Sequence, residues 1–118
     1  MKMLHLIIKQ KFFDEIIAGI KKQEFREIKP TTYKKYCEVD QEGNAVMENG
    51  EFVPKKYDAI QFYVGYNIDR AGALVEVTGA QIVVFEGENH EIITYDYNGV
   101  EFIAAEIVYD LGKVLELK

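Results

Sequence analysis

Phe12-Phe13-Asp14-Glu15-Ile16-Ile17-Ala18-Gly19-Ile20-Lys21-Lys22-Gln23-Glu24-Phe25-Arg26 changes its period partway along. Phe12, Phe13, Ile16, Ile17 and Ile20 recur on one side of a helix. The helix is expected over 11–19, with Gly19 ending it in the left-handed conformation that only glycine adopts cheaply. From Lys21 to Ile28 the chain reads as a strand. A period of two then puts Lys22, Glu24 and Arg26 on one face, with Gln23, Phe25 and Glu27 on the other. Lys21 falls at the turn, where alternation does not fix its direction. A carboxylate between two cations holds an arginine fork in place, and a nearby lysine offers a mobile charge to an anion or a carbonyl. Cross-strand ion pairs on a wet face give the same pattern, at about 0–1 kcal/mol each.

Working outward, Met3 to Lys9 alternates as a strand, with Leu4, Leu6 and Ile8 on one side. Lys29-Pro30 ends the strand that carries Arg26, because proline lacks the ladder donor. In Thr31 to Tyr36 a threonine caps a short helical turn, and Tyr33 and Tyr36 flank Lys34 and Lys35 in what reads as a solvated turn, or as an extension of a nucleotide-binding surface. Asn49-Gly50 predicts a small hairpin with a type I′ turn inside 37–54, a peripheral acidic insertion. Ala59 to Val64 is a strand ended by Gly65, which leaves Tyr66 at its mouth as a candidate stacking residue and Arg70 beyond it as a candidate anion contact. Ala73 to Phe85 is a long strand with Gly79 marking a bulge. Ile92 to Tyr97, Asn98-Gly99 and Val100 to Tyr109 read as one hairpin, and Leu111 to Leu117 as a last strand closing against the first. With no alternation of strand and helix, the order predicts antiparallel pairing in a mainly β, α+β domain.

The 118 residues fit one domain, with 48% hydrophobic and 29% charged residues. No apolar run approaches the length of a transmembrane helix and no signal peptide is expected, so a cytoplasmic location without membrane contact is the default reading. The single cysteine, Cys37, excludes an internal disulfide and is expected to be a partly buried thiol. His90 stands alone, nothing has metal-ligand spacing, and no cofactor is expected. The net charge of −6 argues against broad nucleic-acid binding. Residues 1–36 hold nine Lys/Arg against four Asp/Glu, a net of +5, while residues 37–118 hold five against sixteen, a net of −11. A local cationic site on an acidic body fits a small anionic ligand or one nucleotide of a longer chain.

The spacing Gly-x-Lys-x-x-Glu-x-Arg, filled by Gly19, Lys21, Glu24 and Arg26, resembles the signature of the ASCH domain family. Leu4 to Lys9 is similar to that family's first strand and Phe13 to Gly19 to its first helix. Phe62 to Tyr66 and Leu111 to Leu115 are weaker echoes of later segments. The resemblance implies a PUA-like fold over 1–118, a small closed β-barrel with one principal flanking helix. It also implies a pocket binding RNA or a nucleotide, for which Lys21, Lys22, Glu24, Arg26, Tyr66 and Arg70 are the candidate residues. One branch of the family hydrolyses an acetylated cytidine. That branch implies an alternative amidohydrolase role with Lys21 catalytic; it carries a threonine where this chain has Glu24, so a catalytic Glu24, as general base toward a water, is read from its own chemistry and not from the family. A protein-interaction module using the acidic insertion is the third reading.

Overall fold

A computed structural model describes residues 1–118. Nine strands and two short helices follow in the order β1 (Met3–Ile8), α1 (Gln10–Ile17), β2 (Gln23–Ile28), α2 (Tyr33–Tyr36), β3 (Met47–Glu48), β4 (Glu51–Phe52), β5 (Ala59–Val64), β6 (Gly72–Val84), β7 (Thr94–Tyr97), β8 (Val100–Ile103) and β9 (Ala105–Leu117). The chain is mainly β, as expected, with about half its residues in strands. The principal sheet runs β1-β5-β6-β9-β2, and β3-β4 and β7-β8 form two separate hairpins. The sheets are not closed into a barrel.

Two corrections follow from that order. The pairing is not wholly antiparallel, because β1 lies parallel to β5 in the register Leu4 with Ile60, Leu6 with Phe62 and Ile8 with Val64. Such a pair needs a long crossover, which residues 9–58 supply. Nor does 111–117 close against the first strand. It continues without a break from Ala105 as β9, between β6 and β2. The predicted strand after Asn98-Gly99 is therefore two strands, and Ala105 to Tyr109 belongs to β9 rather than to the hairpin.

The chain divides into two compact units. One comprises Met1–Glu24, Lys56–Gly79 and Tyr109–Lys118, the other Phe25–Lys55 and Ala80–Val108. In the first unit the alternation of β1 is obeyed: Leu4, Leu6 and Ile8 are buried, and His5 is exposed. They join Ile60, Phe62, Val75 and Tyr109, all fully enclosed. Burying a side chain the size of Ile60 or Phe62 contributes roughly 1.5–3 kcal/mol. Helix α1 rests against β5. It buries only Phe13 and Ile16 of its apolar stripe and leaves Phe12, Ile17 and Ile20 at the surface.

The second unit holds both hairpins. Asn49 (φ 52°) with Gly50 (φ 79°), and Asn98 (φ 51°) with Gly99 (φ 81°), adopt the doubly left-handed turn predicted from their dipeptides. The pairings are Met47 with Phe52 and Tyr97 with Val100. Residues 37–54 are drawn together by a bridge between Cys37 and Pro54. Tyr36 and Cys37 are buried, so this stretch is less peripheral at its root than its acidic composition suggests.

Candidate functional site

Gly19 has φ +75°, as the end of α1 requires. The turn it makes lets Ile20 and Lys21 both donate their backbone N–H groups to the carbonyl of Glu15, at 2.9 and 3.0 Å. Lys21 is thereby fixed before β2 begins. Its Nζ stands 5.4 Å from the centre of the Phe12 ring and 3.6 Å from Glu24 Oε1. Phe12, expected in the core, instead serves as a surface for this ammonium. The Lys21 side chain is 16% exposed and that of Glu24 only 7%. A carboxylate so far from water is stable as an anion only when a cation and hydrogen bonds hold it.

Strand β2 buries Glu24 and Ile28, half-buries Arg26, and exposes Gln23, Phe25 and Glu27. The predicted alternation therefore holds from Glu24 onward. Lys22, expected to share that face, precedes the strand and is exposed. Its carbonyl accepts a hydrogen bond from the Leu111 N–H at 2.9 Å, and Gln23 Nε2 donates to Asp110 Oδ1 at 2.8 Å. These contacts set the start of β2 beside the Tyr109–Leu111 stretch of β9. Tyr109 is fully buried, and its ring meets Tyr57 edge-on at 6.5 Å. The sequence reading did not select either tyrosine. The available signal was the alternation Ala105, Ile107, Tyr109, which marks Tyr109 as inward-facing.

Arg26 lies in the second unit, with Lys35 near enough for its charge to be felt. The Lys35 ammonium is pushed below the usual lysine range, first by burial and then by the Arg26 guanidinium. The Lys35 Nζ also lies 5.6 Å from the centre of the buried Tyr36 ring. Residues 33–36 are thus more than a solvated turn. Thr32 does sit at the helix start, yet its hydroxyl accepts from the Lys29 N–H rather than capping α2.

Tyr66 and Arg70 are not brought to the Lys21–Glu24 pair. Both follow β5, and β6 and β9 intervene between β5 and β2. Tyr66 is 83% exposed, and Arg70 lies over the Tyr63 ring at 3.9 Å. Gly79, predicted to mark a bulge, leaves room for Asp110, whose Oδ2 comes within 2.7 Å of where a Cβ would stand. The second unit also contains a cavity of about 280 Å³ among Tyr33, Cys37, Phe52 and Phe102. Burial raises the Cys37 thiol above its ordinary pKa. His90 has Glu86 beside it at 3.3 Å. No helix is long and apolar enough to cross a membrane. No family model matches the chain, and no curated protein or solved structure is significantly similar to it.

Proposed function

We propose that this chain is a nucleotide- or RNA-binding domain of the ASCH, PUA-like kind, with its ligand received at the segment Gly19 to Arg26. The observation that carries the reading is the Lys21–Glu24 pair, 3.6 Å apart and largely withdrawn from water. A pair of exposed surface charges contributes little and needs no burial. Here a helix-ending turn and a strand edge together hold an ammonium beside a carboxylate. Lys21 presents donors to a phosphate or a base carbonyl, and Glu24 accepts from an exocyclic amine. Arg26 and Lys35, two cations within electrostatic reach of one another, supply a further positive locus for an anion.

The same pair supports a second reading as an amidohydrolase of an acetylated nucleoside. Glu24 would then take a proton from an attacking water while Lys21 polarised the acyl oxygen. The acetyl group would leave as acetate and the freed amine would receive the proton.

One experiment separates the two. The protein is incubated with acetylated cytidine and titrated with nucleoside monophosphates and short RNAs. Saturable binding without turnover, lost in Lys21→Ala and Arg26→Ala, is the expected result. Acetate release that disappears in Lys21→Ala would move the assignment to the enzyme. Neither binding nor turnover would refute both and leave the protein-interaction role.

A further inference from the structure

A second cationic cluster surrounds Tyr63. The guanidinium carbon of Arg70 lies 3.9 Å from the ring centre, and the Lys118 Nζ lies 5.4 Å from it. The His5 imidazole runs nearly parallel to the same ring, at 6.3 Å and 11°. The sheet produces this grouping. Ile7 pairs with Tyr63 and His5 with Gln61, so His5 and Tyr63 share a face of β1 and β5 opposite the buried Leu6 and Phe62.

Lys118 is tied down through its backbone and Arg70 through its guanidinium. The Lys118 N–H donates to the Gly72 carbonyl at 2.9 Å, and Arg70 Nη1 donates to the Gly65 carbonyl at 3.3 Å. Gly72 keeps the floor open. A Cβ there would stand 2.9 Å from the Phe62 carbonyl oxygen and 3.2 Å from the Tyr63 ring. Beside the ring lies a cavity of about 260 Å³, walled by Gln61, Leu74, Glu116, Leu117 and Lys118.

Neither Arg70 nor Lys118 is ion-paired with a carboxylate, although the chain carries 20 acids against 14 bases, and Asp69 and Glu116 are close by in sequence or on the cavity wall. A guanidinium over a ring face still has N–H groups to offer an oxyanion. The Lys118 ammonium beside it adds a second positive charge, and the His5 imidazole adds a ring nitrogen for hydrogen bonding.

We infer that His5, Tyr63, Arg70 and Lys118 form an anion site for the phosphate of a phosphomonoester, with its organic part against Leu74 and Leu117. Since β6 and β9 separate β5 from β2, this site is distinct from the Lys21–Glu24 pair and does not depend on the function assigned to that pair.

The test is a titration of the isotope-labelled full chain with inorganic phosphate, matched in ionic strength by chloride and followed by amide and imidazole resonances. The expected result is saturable shifts centred on His5, Tyr63 and Gly72 that chloride does not reproduce. Binding is expected to weaken about tenfold in Arg70→Gln and in Lys118→Gln, with part of it regained in Arg70→Lys, and to be unchanged in Lys56→Ala, an exposed lysine of neither site. A mononucleotide and a 5′-phosphorylated oligonucleotide are then compared, each against its unphosphorylated form. Tighter binding of the first assigns free metabolites as the source of the phosphate, and tighter binding of the second assigns polymer ends. Shifts that chloride matches, no saturable shift at His5, Tyr63 and Gly72, or wild-type affinity in both folded Gln variants would overturn the assignment.

Discussion

Replacing Lys21 by methionine removes a charge while keeping most of the stem that lies on Phe12. At 3.6 Å, two unit charges attract by roughly 4–5 kcal/mol at an effective dielectric constant near 20. Lys21 is 16% exposed, so water screens part of this. Truncating one partner of a buried pair generally costs about 3–5 kcal/mol, because the other charge stays behind uncompensated. The expected loss for Lys21→Met is therefore about 3 kcal/mol. For a chain of 118 residues that corresponds to a melting point lower by about 10 °C. Adding Glu24→Gln to the same chain removes the anion that Lys21 faced, and the double variant should cost less than the sum of the two single losses. Urea denaturation of the four proteins completes the cycle, with an unchanged slope showing that the unfolded states are comparable. If Lys21→Met costs less than about 1 kcal/mol, or the two single losses simply add, the pair is not the coupled unit described.

Two further outcomes are expected. Gly19→Ala should cost about 1 kcal/mol by thermal denaturation. The residue has φ +75° and no atom lies within 4 Å of the added carbon, so the cost is conformational alone and no loss would contradict the turn. The Cys37 thiol should alkylate more slowly than a free thiol until denaturant is added, since it is buried with a raised pKa. The sign of the linkage follows from the raised value. The contribution of Cys37 is complete below the ordinary thiol pKa of about 8.5 and fades as pH rises through the folded one. Stability of the native chain should accordingly fall more steeply than that of Cys37→Ala above that pH, and identical slopes would count against the burial.

Local features were legible because their causes are local. Gly19 needed only the helix before it and the strand after it. Asn49-Gly50 and Asn98-Gly99 needed only their own backbone preferences. The alternation of Leu4, Leu6 and Ile8 recorded which face of β1 meets the core, although it left the parallel partner open. Long-range pairing was not legible. Nothing near Leu111 shows that its N–H meets Lys22, so the last segment was assigned as a separate closing strand rather than as half of β9. The same limit applies to the site. Lys21, Glu24 and Arg26 were visible as a spacing, and Lys21 with Glu24 proved to be a pair. Tyr66 and Arg70 were chosen for their chemistry beside a glycine, and they lie toward the other edge of the sheet. Tyr109 carries no such signal, because an aromatic residue in an apolar strand reads as core.

The placement of β2 at the sheet edge, with β9 as its one neighbour, bears on how this protein comes into being. A ribosome must deliver Asp110 and Leu111 before Gln23 and Lys22 have anything to bond, although the glycine turn beside them was synthesised far earlier. During translation Glu24 therefore waits as a hydrated, separate carboxylate. Only when β9 has emerged can the sheet draw it out of water.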